Sequence, residues 1–154
     1  MTNMNQDTPL TAAMMRIIHA THHDPFDVLG FHECRELVRK DHAHIRLYLP
    51  NALEVSVLNR GGQHACRRIE GTDFFERRGM ADDVPRPYQI MVIDRHNTTR
   101  TTYDPYSFLP CLGELDIHLF NEGKHLEVYK HLGANARIHQ GVEGVCFATW
   151  APNA

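Results

Sequence analysis

Twelve histidines and four cysteines are the residues of this 154-residue chain with the most reactive side chains. Imidazole works as an acid, a base or a metal ligand near neutral pH. His22-His23-Asp24 and the pair His42/His44 bring such groups together along the sequence. Neither has the spacing of a metalloprotease box or a zinc finger, so they read as loop and surface residues and no metal is expected. Cys34, Cys66, Cys111 and Cys146 contain no C-x-x-C pair, which removes the zinc-ribbon and thioredoxin-like readings. Parity permits disulfides, but no secretion signal accompanies them, so reduced and mostly buried thiols are expected. Asp82-Asp83 sit between Gly79 and Pro85 and read as solvated loop charge. Nucleophile elbows, phosphate loops and metal boxes are absent, so no catalytic residue and no cofactor is expected.

Aromatic rings offer a different chemistry, because a flat face can stack on a pyranose. Tyr48, Tyr88, Tyr103 and Trp150 are the carbohydrate-binding candidates, with Tyr106 a further exposed-ring candidate. Each has a competing role as a half-buried ring on a strand, at a domain contact or, for Trp150, in or near a core.

These side chains must be held by ordinary soluble elements. Hydrophobic residues make up 42% of the chain and charged residues 23%, a globular balance. Sixteen Lys and Arg against nineteen Asp and Glu give a net charge of -3, which argues against a nucleic-acid partner. Apolar runs are only a few residues long, so no membrane partner is expected. The first fourteen residues carry no Lys or Arg and no signal-peptide stretch follows, so the expected location is cytoplasmic.

Residues 1–7 read as a disordered tail. Thr8 and Pro9 then suggest an N-cap and first helical position, and Leu10, Met14, Ile17 and Ile18 make one apolar helix face. From about residue 34 short alternating runs appear: 44–49, 53–58, 64–69, 73–76, 88–94 and 98–102. Turn signals at Pro50-Asn51-Ala52, Gly61-Gly62 and Arg95-His96-Asn97 separate them. Such spacing predicts an all-β sandwich. Beyond Asp104-Pro105, Leu112, Leu115, Leu119 and Phe120 predict one short helix, and Leu126, Tyr129 and Leu132 a second. Residues 134–141 read as a polar connector.

An internal echo follows. Tyr48-Leu49-Pro50-Asn51-Ala52 closes the strand at 44–49, and Trp150-Ala151-Pro152-Asn153-Ala154 closes one at 144–150. The two prolines lie about 100 residues apart, one sandwich domain. A lone strand cannot satisfy its own backbone. The second copy therefore reads as the first strand of another sandwich, and the chain as part of something longer; the alternative is that 144–150 joins the first sheet.

Six short motifs in order carry a family resemblance across 22–154. They are His22-His23-Asp24-Pro25-Phe26-x-Val28-Leu29-Gly30; Asp104-Pro105-Tyr106-x-Phe108 with Leu112-Gly113-Glu114-Leu115-Asp116; Leu119-Phe120-x-Glu122-Gly123-x-His125-Leu126; Tyr129-x-x-Leu132-Gly133-Ala134; Gly141-Val142-x-Gly144-Val145; and Trp150 to Ala154. The chain resembles the N-terminal region of bacterial 1,4-α-glucan (glycogen) branching enzymes. That resemblance implies a mainly β, immunoglobulin-like sandwich with an N-terminal helix and a short helical C-terminal connector. In longer members a carbohydrate-binding module, a catalytic (β/α)₈ barrel and a C-terminal sandwich follow. The implied division is 1–21 tail and helix, 22–108 sandwich, 109–141 helical connector and 142–154 the first strand of the next module.

The family's retaining chemistry needs two carboxyl groups about 5–5.5 Å apart on a barrel that this chain does not contain. The implied role is therefore non-catalytic: assisting α-1,4-glucan (glycogen) binding or chain-length selection, and docking on the catalytic domain of the same parent chain. Asp104, Pro105, Tyr106, Leu115, Leu119 and Tyr129 are the docking candidates. Where the family often has Gly-Pro-Leu, this chain has Leu109-Pro110-Cys111-Leu112, and 41–84 matches by pattern only. The alternative is a purely structural docking module with no glucan binding.

Overall fold

Alternation of apolar and polar residues dictates most of the structure, a computed structural model that describes residues 8–33, 42–80 and 84–151. Asp82, Asp83 and the second Pro-Asn-Ala turn lie outside the described residues. The described chain forms two compact units, 8–107 and 108–151.

The first unit is a two-layer β-sandwich. One antiparallel sheet has strand order β1-β2-β6-β5, with β1 Gly30–Glu33, β2 His42–Tyr48, β5 Arg67–Arg68 and β6 Phe74–Met80. The other has order β4-β3-β7-β8, with β3 Ala52–Asn59, β4 Gly62–Ala65, β7 Gln89–Asp94 and β8 Thr99–Tyr103. Period-2 alternation turns Ile45, Leu47 and Phe75 of the first sheet toward Val55, Val57, Ile90 and Val92 of the second, and all are buried. Leu47 lies opposite Phe75, and Val57 opposite Ile90, so cross-strand pairs build the layer between the sheets. Each fully buried side chain of this kind stabilises the fold by about 1.5–3 kcal/mol.

The outer face of the first sheet has its own cover. Helix α1, Ala12–Ile18, lays Met14, Ile17 and Ile18 against Val28, Leu29, Tyr48, Ile69 and Phe74. The expected helical stripe is therefore correct at these three residues, whereas Leu10 precedes the helix and is exposed. The expected cap is displaced by three residues. Thr11 caps the helix by accepting from the Met14 N–H at 3.2 Å. The Thr8 hydroxyl instead donates to the Glu76 carboxylate and accepts from Arg78. Glu76 is buried and also receives Arg46 Nε at 3.0 Å and Arg78 Nε at 2.8 Å. Burial pushes its carboxyl up, but hydrogen bonds from Thr8, Arg78 and Arg46 outweigh this and hold it below the usual carboxylate range.

Two turns show why particular residues stand where they do. Asn97 takes a left-handed conformation (φ 57°), and Asp94 Oδ1 accepts from the His96 and Thr98 N–H groups. This forms the expected hairpin between β7 and β8. Gly30 has φ 88°, and a Cβ there would lie 2.6 Å from the Tyr106 carbonyl oxygen, so only glycine lets these segments meet.

In the second unit, α2 spans Glu114–Asn121, a 3₁₀ turn spans Val128–Lys130, and β9 Gly133–His139 pairs antiparallel with β10 Val142–Ala148. The segment read as a polar connector is thus a strand. Cys111 and Cys146 are joined as a disulfide, which corrects the expectation of reduced thiols throughout. Cys146 lies on the half-buried side of β10, and the chain reversal through β9 brings it back to the loop before α2. Cys66 is the one free cysteine among the described residues, and burial pushes its thiol up to about 12.

Candidate functional site

The carbohydrate-binding candidates separate once placed. Tyr88 begins the alternation Tyr88, Ile90, Val92, so it points between the sheets and is 1% exposed. Its hydroxyl donates to Asp104 Oδ2 at 2.5 Å. Desolvation raises both groups, the Tyr88 phenol further because the Asp104 charge lies beside it. Hydrogen bonds from Tyr88 and from the Tyr106 N–H pull Asp104 the other way without cancelling its burial. Tyr88 is therefore corrected to a core residue: a ring with no open face cannot stack on sugar.

Asp104 is likewise corrected from a docking residue to a buried anchor. Its Oδ1 accepts from the Tyr106 N–H at 3.1 Å, and its carbonyl accepts from Ser107 Oγ at 2.6 Å. This fixes the 3₁₀ turn Pro105–Ser107, in which Pro105 is exposed and Tyr106 half-buried with its ring edge-on to Phe26 at 5.1 Å. Tyr103 is half-buried on β8, a sheet edge. Tyr48 packs on Phe74 at 5.0 Å and borders a shallow hollow of about 290 Å³ with Arg68, Thr72 and Asp73. A larger cleft of about 600 Å³ is lined by Thr8, His64, Arg67, Glu76, Arg77 and Arg78 among others, with no Phe, Tyr or Trp. It lacks the stacking platform that sugar sites use.

The second unit holds the other candidates, and its surface is inverted. None of its described residues is buried. Strand pairing places Ala134, Ala136 and Ile138 of β9 beside Phe147, Val145 and Glu143 of β10 on one face. That face is exposed and, Glu143 apart, apolar, with Phe147 77% exposed and Ile138 74%. The opposite face carries Asn135, Arg137 and His139 and is half-buried. This face is absent from the sequence expectation, in which 134–141 is a connector. Its signal is the small apolar alternation Ala134, Ala136, Ile138.

Leu115 and Tyr129, both docking candidates, are also exposed, whereas Leu119 is half-buried. Trp150 is exposed and meets Phe120 edge-on at 5.0 Å. Large apolar side chains are thus open to water on the ribbon face, on α2 and at Tyr129 and Trp150. No helix among the described residues is long and apolar enough to cross a membrane.

Comparison with known proteins agrees with the sequence resemblance. Residues 10–106 match the family model described as "alpha-1,4-glucan branching enzyme GlgB, N-terminal domain". The 1,4-alpha-glucan branching enzyme GlgB of Cellvibrio japonicus is 48% identical over 157 aligned positions, covering 100% of this chain and 21% of that protein. The enzyme of the same name from Methylococcus capsulatus is 40% identical, covering 100% of this chain and 20% of its own length. The GlgB 1 enzyme of Streptomyces coelicolor is 40% identical over 95% of this chain and 18% of its own. The chain thus spans about a fifth of the length of these relatives. With a mainly β sandwich in place and the family model matched across it, this chain belongs to the family of the N-terminal domain of alpha-1,4-glucan branching enzyme GlgB.

Proposed function

We propose that the chain is a non-catalytic N-terminal module of a 1,4-α-glucan branching enzyme of glycogen biosynthesis, with a cytoplasmic setting. Its second unit docks on the remainder of the parent chain, and residues 133–148 open the module that follows. The observation that carries this reading is the outward apolar face of Ala134, Ala136, Ile138, Val145 and Phe147, in a unit with no buried residue among those described. Further strands laid on that face would bury it, and each large side chain covered contributes about 1.5–3 kcal/mol. The coverage of about a fifth of each relative supports the identity of the occupant. The exposed Leu115 and Tyr129 are further docking residues of this unit, and Pro105 and Tyr106 form another contact point.

Glucan binding is the finer part of the reading. Tyr48 with Arg68, Thr72 and Asp73 offers a ring beside polar groups, and Trp150 offers an open ring. Their role is to assist glucan binding or the choice of chain length.

Two measurements test the two parts separately. Mixing the chain with the Cellvibrio japonicus enzyme shortened by its matching N-terminal fifth should give a complex, weakened by Phe147→Ser. No complex would remove the docking reading. Affinity electrophoresis in glycogen gels should retard the chain, less so for Tyr48→Ala. Equal mobility with and without glycogen would leave the purely structural module.

A further inference from the structure

We propose that Asp116, His125 and His131 form a binding site for a divalent metal ion of the zinc type. Asp116 sits in the first turn of α2, His125 in the loop after it, and His131 just beyond the 3₁₀ turn Val128–Lys130. Chain reversal brings both imidazoles onto one carboxylate oxygen: His125 Nε2 lies 2.9 Å from Asp116 Oδ1 and His131 Nε2 lies 3.4 Å from it. One ligand atom from each of the three residues falls within 4.8 Å of the others. With metal–ligand bonds of about 2.0–2.1 Å, a tetrahedral ion spaces its ligands about 3.3 Å apart. The two separations from Asp116 Oδ1 lie within about half an ångström of that value, and the two imidazole ligand atoms, within 4.8 Å of each other, would close by up to about 1.5 Å through side-chain rotation to accept one.

The surroundings fit the same occupant. Asp116 Oδ2 accepts from the Gly113 N–H at 3.1 Å, which holds the carboxylate in place as outer partners hold metal ligands. His125 is nearly enclosed, whereas Asp116 and His131 are partly open, which leaves an entry path and a position for water. His131 Nδ1 is buried with no hydrogen-bond partner. With Nε2 on the ion, that Nδ1 would carry the proton without the outer partner that ligating imidazoles usually have, which lowers the affinity expected of the site. Two imidazoles and one carboxylate with an open position suit zinc, cobalt or nickel rather than the all-oxygen demand of calcium or magnesium. Bound there, the ion would tie the start of α2 to the segment entering β9, in a unit with no buried residue among those described.

The test is a cobalt(II) titration of the full chain followed by displacement with zinc(II), read by visible absorption and by histidine NMR. The site predicts one equivalent bound, tetrahedral d–d bands without a thiolate charge-transfer band, and shifts of the His125 and His131 ring signals. His131→Gln should weaken binding at least about tenfold, the scale on which even an outer-shell partner acts. A double His22→Gln/His23→Gln change should leave affinity unchanged. Asp116→Asn should abolish binding, but it also replaces the charged acceptor of the Gly113 N–H at the start of α2 by a weaker neutral one. His131→Gln, with far-UV circular dichroism unchanged, therefore carries the test if Asp116→Asn unfolds. Absence of saturable binding, or unchanged affinity in His131→Gln, would overturn the proposal.

Discussion

The sandwich of residues 8–107 and the unit of residues 108–151 solve the burial problem in opposite ways. In the sandwich, sheet meets sheet over Leu47, Val55, Val57, Phe75, Ile90 and Val92, and a helix covers the outer face through Met14. Every element there has a partner within the unit. In the second unit a single ribbon, β9 with β10, turns its polar face inward and its apolar face to water. A two-stranded ribbon is marginal alone, and its backbone pairing leaves two open edges. The difference teaches that the same alternation signal can build a finished core or half of an unfinished one. Only burial tells them apart.

Equal truncations in the two units should break the symmetry most sharply. Phe74→Ala, in the buried layer under α1, should cost about 3–5 kcal/mol in chemical denaturation. Phe147→Ala should stay within about 0.5 kcal/mol, as expected of an exposed site. Equal losses would show that the ribbon is already buried in the chain by itself. A smaller effect comes from the helix that closes the sandwich. Thr11→Ala removes the cap and should cost about 1 kcal/mol, whereas Thr8→Ala should leave helix content unchanged by circular dichroism.

Acidity gives the finest distinction. Burial first, then the charges of Arg46 and His32, lowers His44 to about 4. Its folded pKa lies below the unfolded value near 6.5, so the unfolded state binds more protons between the two. Stability of the sandwich should therefore fall as pH drops from about 6.5 to about 4, and His44→Gln should flatten that slope. Glu76, also held low, adds a loss at still lower pH in the same direction. An unchanged slope in His44→Gln would remove His44 from the account.

Much of the sandwich is legible in strands that alternate as β7 does, and the bounds predicted for β7 and β8 lie within a residue or two of those observed. The same alternation places Tyr88 in the core, since it shares its parity with the buried Ile90 and Val92. β1 was not legible: Gly30-Phe31-His32-Glu33 has no alternating pattern, and its strand exists because β2 offers it an edge. β9 was hidden by Asn135, Arg137 and His139, whose polar side chains mask the alanines between them. The Asp116, His125 and His131 cluster was invisible for another reason. Its spacing follows no helix or strand period, and only the fold of the loop brings the three together.

Hydrogen exchange on the chain alone and with the shortened Cellvibrio japonicus enzyme tests the central claim most directly. The account predicts that β3 and β7 amides are slow in both samples, while those of β9 and β10 exchange fast alone and slow markedly in the mixture. Protection of 142–148 equal to that of β3 in the isolated chain would contradict it.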